Sequence, residues 1–109
     1  MEFTTDKIGD YYVVSVTGRL DATTAGEFEE QCDQWLSQDE IHIVVDMAGV
    51  EYISSAGLRS ILTSAKKLKG RKGDLRFCNL AGMVADVFKM SGFAAMFKIF
   101  ETREQAISD

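Results

Sequence analysis

The stretch VVDMAGVEYISSAGLRSIL, Val44–Leu62, decides how the rest of the chain is read. Its beginning completes IHIVVD, a short, β-branched and almost continuously apolar run of the kind an interior strand presents. Its end opens a helix near Ser55. Leu58, Ile61, Leu62, Ala65 and Leu68 fall on one stripe of that helix, and Arg59, Ser60, Thr63, Lys66 and Lys67 on the other. After Asp46 the spacing predicts a short polar loop between strand and helix. Ser54 and Ser55 stand side by side at this junction, with three chemistries open to them: helix cap, nucleophile, or acceptor of a transferred group.

Upstream, two β-rich runs flank Gly9-Asp10, a pair suited to a two-residue hairpin turn. In the second run Tyr12, Val14 and Val16 alternate with Tyr11, Val13, Ser15 and Thr17, and Gly18 is expected to end the strand. GRLDATTAGEFEEQCDQWL then starts a helix, with Asp21 or Thr24 as cap and Thr24 with Glu27 at capping-box spacing. Phe28, Cys32, Trp35 and Leu36 face the core, while Glu27, Glu29, Glu30 and Asp33 read as a solvated face. Downstream, Gly70 and Gly73 bracket the exit from the second helix. LRFC is a fourth strand, with Leu75 and Phe77 on one side. Met83, Val84, Val87, Phe88 and Met90 mark a third helix with Gly92 at its end; FKIF is a fifth strand, and a terminal helix opens at Thr102. The expected fold is α/β: one domain over residues 1–109, a mixed five-stranded sheet in the order ββαβαβαβα, with about four helices packed largely on one face.

Composition narrows the function. A chain of 109 residues with 46% apolar and 27% charged residues has an ordinary globular mix. No apolar run approaches the roughly 20 residues that span a bilayer, and the opening MEFTTDKIGD is acidic and polar where a secretory signal is basic and then apolar. A cytoplasmic location without membrane insertion is expected. The net charge of −5 argues against nucleic acid, whose binding depends on lysine and arginine displacing counterions. The cluster Lys66, Lys67, Lys69, Arg71 and Lys72 coincides with a helix C-terminus, where the dipole favours cations. Cys32 and Cys78 lie in apolar-periodic segments and read as buried free thiols. His42 is the only histidine, so neither a metal site nor a cofactor is expected.

The motifs of enzymes are missing. The serines are outside GxSxG, and no P-loop, dinucleotide fingerprint, HExxH or EF-hand spacing occurs. A serine nucleophile needs a base to take its proton, and His42 belongs to a strand leading away from the junction. Capping alone accounts for one serine, at about 1 kcal/mol. The loop, however, follows the carboxyl end of an interior strand, where functional loops concentrate. The positive end of a helix also tolerates a phosphoryl group, so cap and acceptor are compatible roles.

Three segments carry a resemblance. GRLDATTA (Gly18–Ala25), VVDMAGVEYISSAGLRSIL, and MSGF followed by FKIF (Met90–Phe100) are similar, in order and spacing, to the STAS domains of anti-sigma factor antagonists. The resemblance implies a non-enzymatic partner switch. The unmodified antagonist binds an anti-sigma factor that is also a serine kinase; the kinase uses ATP to phosphorylate a serine two residues before the motif glycine, and a serine phosphatase resets the system. Before Gly57 that position is Ser55, with Ser54 as a second acceptor. Asp21 matches the acidic residue often found in the partner surface. Many members have aspartate immediately before the phosphorylated serine; here that residue is Ser54. The expected partner face comprises Asp21, Thr23, Ser54, Ser55, Ala56, Gly57, Leu58 and Arg59. The other readings are a STAS scaffold or regulatory subunit of a membrane transporter, with Ser55 only a cap, and a small serine-dependent enzyme.

Overall fold

The computed structural model describes residues 1–108. Its strands are β1 (Glu2–Ile8), β2 (Tyr11–Leu20), β3 (His42–Ile53), β4 (Asp74–Cys78) and β5 (Lys98–Phe100). The helices are α1 (Ala25–Ser37), α2 (Ser55–Gly70), α3 (Gly82–Met90), α4 (Phe93–Met96) and α5 (Arg103–Ser108). The strands form one sheet in the order β1-β2-β3-β4-β5, β1 antiparallel to β2 and the other pairs parallel. Ile8 pairs with Tyr11 across Gly9-Asp10, so the predicted hairpin turn is present. The mixed α/β sheet expected from the sequence is the fold, with the four-residue α4 added between α3 and β5. Nothing in a run so short could announce itself by periodicity.

The main core lies between the sheet and helices α1, α2 and α3. Val14, Val16, Ile43, Val45 and Phe77 from the strands meet Phe28, Trp35, Ile61, Leu68 and Phe88 from the helices. Phe3 and Tyr12 pack their rings on Trp35, with centroids 6.1 and 6.0 Å away, so the edge strand β1 is tied to α1. Phe77, Phe88, Phe93 and Phe97 join α3 and α4 to β4 through ring contacts of 5.1–5.6 Å. Such pairs add about 0.5–1.5 kcal/mol each beyond area burial. The exception to one-sided packing is α5. Its Ala106 covers Val13, Val44 and Cys78 on the opposite face, so both faces of the central strands are dry. This explains why IHIVVD reads as continuously apolar. Cys32 and Cys78 are buried free thiols, and burial pushes the Cys78 thiol up to about 11.

Several sequence expectations need correction. Gly18 does not end β2: the strand bends there, with φ at +113°, and runs on to Leu20. The polar loop expected after Asp46 is the second half of β3. Two register shifts against β2, between Ser15 and Thr17 and between Gly18 and Arg19, each give β3 an extra residue. Buried positions consequently fall at Met47, Val50 and Ile53, three apart instead of two, and the alternation that signals a strand disappears. Helices α1 and α2 exit through Asp39 and Lys72 in the left-handed conformation, and the second exit turn, Arg71-Lys72, is bracketed by Gly70 and Gly73 as expected. Met90, expected on the buried stripe of α3, is 86% exposed.

Candidate functional site

The carboxyl ends of β2 and β3 lie side by side because the two strands are parallel. The Ser54 N–H donates to the Leu20 carbonyl at 3.0 Å, which fixes the start of α2 against the end of β2. Two segments remote in sequence, Asp21–Thr24 and Ser54–Gly57, thereby become neighbours. Gly57 permits the contact. A Cβ there would stand 2.5 Å from the Leu20 oxygen and 2.9 Å from its Cγ, so a side chain would push the helix off the sheet.

The adjacent serines differ in role. Ser54 is the N-cap of α2: its backbone is extended, its Oγ accepts from the Gly57 N–H at 3.3 Å, and its carbonyl accepts from Leu58 N–H at 2.9 Å. Ser55 is the first helical residue and is exposed. Its hydroxyl makes no hydrogen bond among the described residues. Ser54 is therefore committed to the helix, while the Ser55 hydroxyl is available at the positive end of a 16-residue dipole.

Asp21 opens the facing turn. Its Oδ1 accepts from the Thr23 N–H at 3.0 Å and from Thr23 Oγ1 at 2.7 Å, and Arg19 Nε lies 3.7 Å from Oδ2. The Thr23 hydrogen bonds, aided by Thr24 and Arg19, hold the Asp21 carboxyl below its ordinary range. The side chain thus presents a fixed negative charge, with Oδ1 held by Thr23 and Oδ2 beside Arg19. The expected capping box on α1 is not formed. Thr24 occupies the cap position, but its Oγ1 donates to the Arg19 carbonyl at 2.7 Å and accepts from Asp21 N–H at 2.9 Å. It shapes the Asp21 turn instead of capping the helix.

Of the remaining predicted residues, Ala56 is half-buried, and Leu58 turns inward against the main core. Arg59 is exposed on the first turn of α2, with no ion pair among the described residues. Two neighbours were not anticipated. The Arg19 guanidinium lies over the Tyr52 ring, 4.3 Å from its centroid, and the two residues pair across β2 and β3. Their signal in sequence is faint: a basic residue two before Asp21 and an aromatic residue two before Ser54. His42 sits at the far end of β3, where Nδ1 is 2.7 Å from Asp74, so no imidazole accompanies the serines. Among the described residues, no three His, Cys, Asp or Glu side chains come together as a metal site, and no helix is long and apolar enough to cross a membrane.

The STAS domain family model matches residues 2–106. BtrV of Bordetella bronchiseptica, a candidate anti-sigma factor antagonist, is 35% identical over 106 residues, covering 97% of this chain and 91% of BtrV. The crystal structure of a candidate anti-sigma factor antagonist from Thermotoga maritima superposes with a TM-score of 0.90 at 21% identity, covering 96% of this chain and 91% of that one. The phosphorylated form of the Bacillus cell fate determinant SpoIIAA matches with a TM-score of 0.72 at 19% identity, covering 97% and 96% of the two chains. Both likenesses are of the overall fold, and the chain belongs to the STAS domain family.

Proposed function

We propose that this protein is a cytoplasmic, non-enzymatic anti-sigma factor antagonist, switched by phosphorylation of Ser55. The observation that carries the reading is the division of labour at the α2 start, where Ser54 supplies the cap and leaves the neighbouring Ser55 hydroxyl exposed. In the unmodified state the face containing Asp21, Thr23, Ser54–Gly57 and Arg59 docks on an anti-sigma factor serine kinase. Leu58 supports that face from beneath. The kinase transfers the γ-phosphoryl group of ATP to Ser55 Oγ, and a serine phosphatase removes it.

The physical basis of the switch is charge. A phosphoserine adds about −1.5 to −2 at neutral pH. At the first residue of α2 the helix dipole tolerates that charge, so the fold survives. On the surface it stands near ionised Asp21 and alters a fitted interface by repulsion and lost complementarity. Phosphorylation of Ser54 would instead compete with its hydrogen bond to Gly57, which favours Ser55 as the acceptor. The replacement of the family's usual aspartate by Ser54 lowers the negative charge of the unmodified face, so modification here produces a larger fractional change in charge.

Titration of the purified kinase with unmodified and Ser55-phosphorylated protein tests the switch. The expected result is a weakening of at least about tenfold, which corresponds to about 1.4 kcal/mol. Equal affinities would overturn it.

A further inference from the structure

The basic run at the end of α2 is only partly used by ion pairs. Lys67 holds Asp33 at 2.9 Å, and Arg71 holds Asp39 at 2.7 Å. Lys66 and Lys69, one turn apart, make no ion pair among the described residues. Both line a groove of about 480 Å³ between the C-terminal half of α2, the start of β4 and the α4–β5 connection. Its apolar wall is formed by Leu62, Ala65, Leu75 and Phe97, with Met96 alongside at 57% exposure. Lys98 contributes a third ammonium to the lining. The single carboxylate there, Asp74, is engaged: His42 is 2.7 Å from Oδ1, and Arg76 Nε donates to Oδ2 at 2.8 Å. The groove therefore combines an apolar wall with a net positive rim, on a chain whose overall charge is −5.

Size and charge narrow the occupant. The volume falls within the range of roughly 300–1,000 Å³ typical of small-molecule sites. Lysine ammoniums act as point charges and accept a carboxylate or a phosphate monoester without the planar fork that arginine imposes. The adjacent methionine is a flexible thioether able to follow the shape of an alkyl chain. We propose that this groove binds a medium-chain amphiphile with one anionic head group, its tail on Leu62, Ala65, Leu75 and Phe97 and its head on Lys66 and Lys69. The site is separate from the phosphoacceptor: Ser55 and Lys66 are roughly 16 Å apart along α2. Binding is thus independent of the switch and does not rest on it.

The test uses the full chain with decanoate, decyl phosphate, decanol and inorganic phosphate below their micellar concentrations, followed by calorimetry and backbone-amide NMR. The proposal expects saturable binding of decanoate or decyl phosphate, with shifts concentrated at Leu62–Lys69, Leu75 and Met96–Lys98. The preference between the two distinguishes a fatty-acid from a phosphate-ester source. Decanol and inorganic phosphate should bind at least about tenfold more weakly, and the double variant Lys66→Gln/Lys69→Gln about five- to tenfold more weakly than wild type. Ala65→Phe, which fills the wall without touching a charge, should abolish binding, and Ser55→Asp should leave it unchanged. Failure of both anionic probes to saturate would overturn the proposal. So would decanol matching decanoate, shifts centred elsewhere, or undiminished binding by the double variant or by Ala65→Phe.

Discussion

Asp21 and Asp46 are both held below the ordinary carboxylate range, but by opposite means. Asp21 is half-buried at the surface, and its charge is maintained mainly by Thr23, two residues away. Asp46 is only 8% exposed. Burial pushes its carboxyl up, and the Ala48 N–H, the Asn79 amide and Arg103 together outweigh that effect. Arg103 also donates to Ser15 Oγ at 2.5 Å, so one network anchors α5 to the second face of the sheet. Both oxygens of Asp46 accept hydrogen bonds inside the protein, whereas Oδ2 of Asp21 accepts none among the described residues and lies 3.7 Å from Arg19 Nε. The difference separates a carboxylate that holds the fold from one that the proposed switch assigns to the partner face.

The largest expected effect comes from breaking the buried side of this comparison. Asp46→Ala strands the Arg103 guanidinium against the sheet and should cost about 3 kcal/mol in urea denaturation. A loss below about 1 kcal/mol would mean that the two carboxylates do not differ as described. The acid response has a definite sign. Because the folded Asp46 carboxyl titrates below its unfolded value, its contribution is complete above the unfolded pKa and is lost as pH falls through the folded one. Wild-type urea midpoints should therefore drop below about pH 4, and Asp46→Asn should show a shallower drop. Asp21→Asn should leave the neutral-pH midpoint almost unmoved while weakening kinase binding.

Next in size is the contact between the two strand ends. Gly57→Ala drives a methyl group into the Leu20 carbonyl and should destabilise by about 2 kcal/mol. The smallest effects distinguish the adjacent serines. Ser54→Ala removes the α2 cap at about 1 kcal/mol, whereas Ser55→Ala should change stability by less than about 0.5 kcal/mol. Thermal or urea unfolding of the two variants in parallel would reverse the assignment of cap and free hydroxyl if Ser55→Ala proved the more costly.

Much of this arrangement is legible in the sequence because local signals and tertiary packing agree. The hairpin at Gly9-Asp10, the apolar side of α2 that meets the core and the helix start at Ser54-Ser55 each rest on a period or a cap that needs no distant partner. Ser60, expected on the outward face of α2, is instead buried, its hydroxyl donating to the Gly57 carbonyl at 2.7 Å. The second half of β3 is hidden because its two extra residues break the alternation from Met47 to Ile53. Thr24 misleads for a related reason: its hydroxyl finds a better acceptor in the Arg19 carbonyl, a contact no spacing rule describes. The stacking of Arg19 on Tyr52 depends on the same bulged register, and the packing of α5 on the far face depends on Asp46 meeting Arg103 across 57 residues. Local pattern thus locates the serines, but long-range register decides what surrounds them.

The central claim is that Ser54 belongs to the helix and Ser55 to the switch. It is tested most directly by incubating the protein with the proposed anti-sigma factor kinase and ATP, then locating the phosphate by peptide fragmentation. The account predicts stoichiometric modification at Ser55, retained in Ser54→Ala and abolished in Ser55→Ala. Phosphate on Ser54, or full phosphorylation elsewhere with Ser55 unmodified, would contradict it.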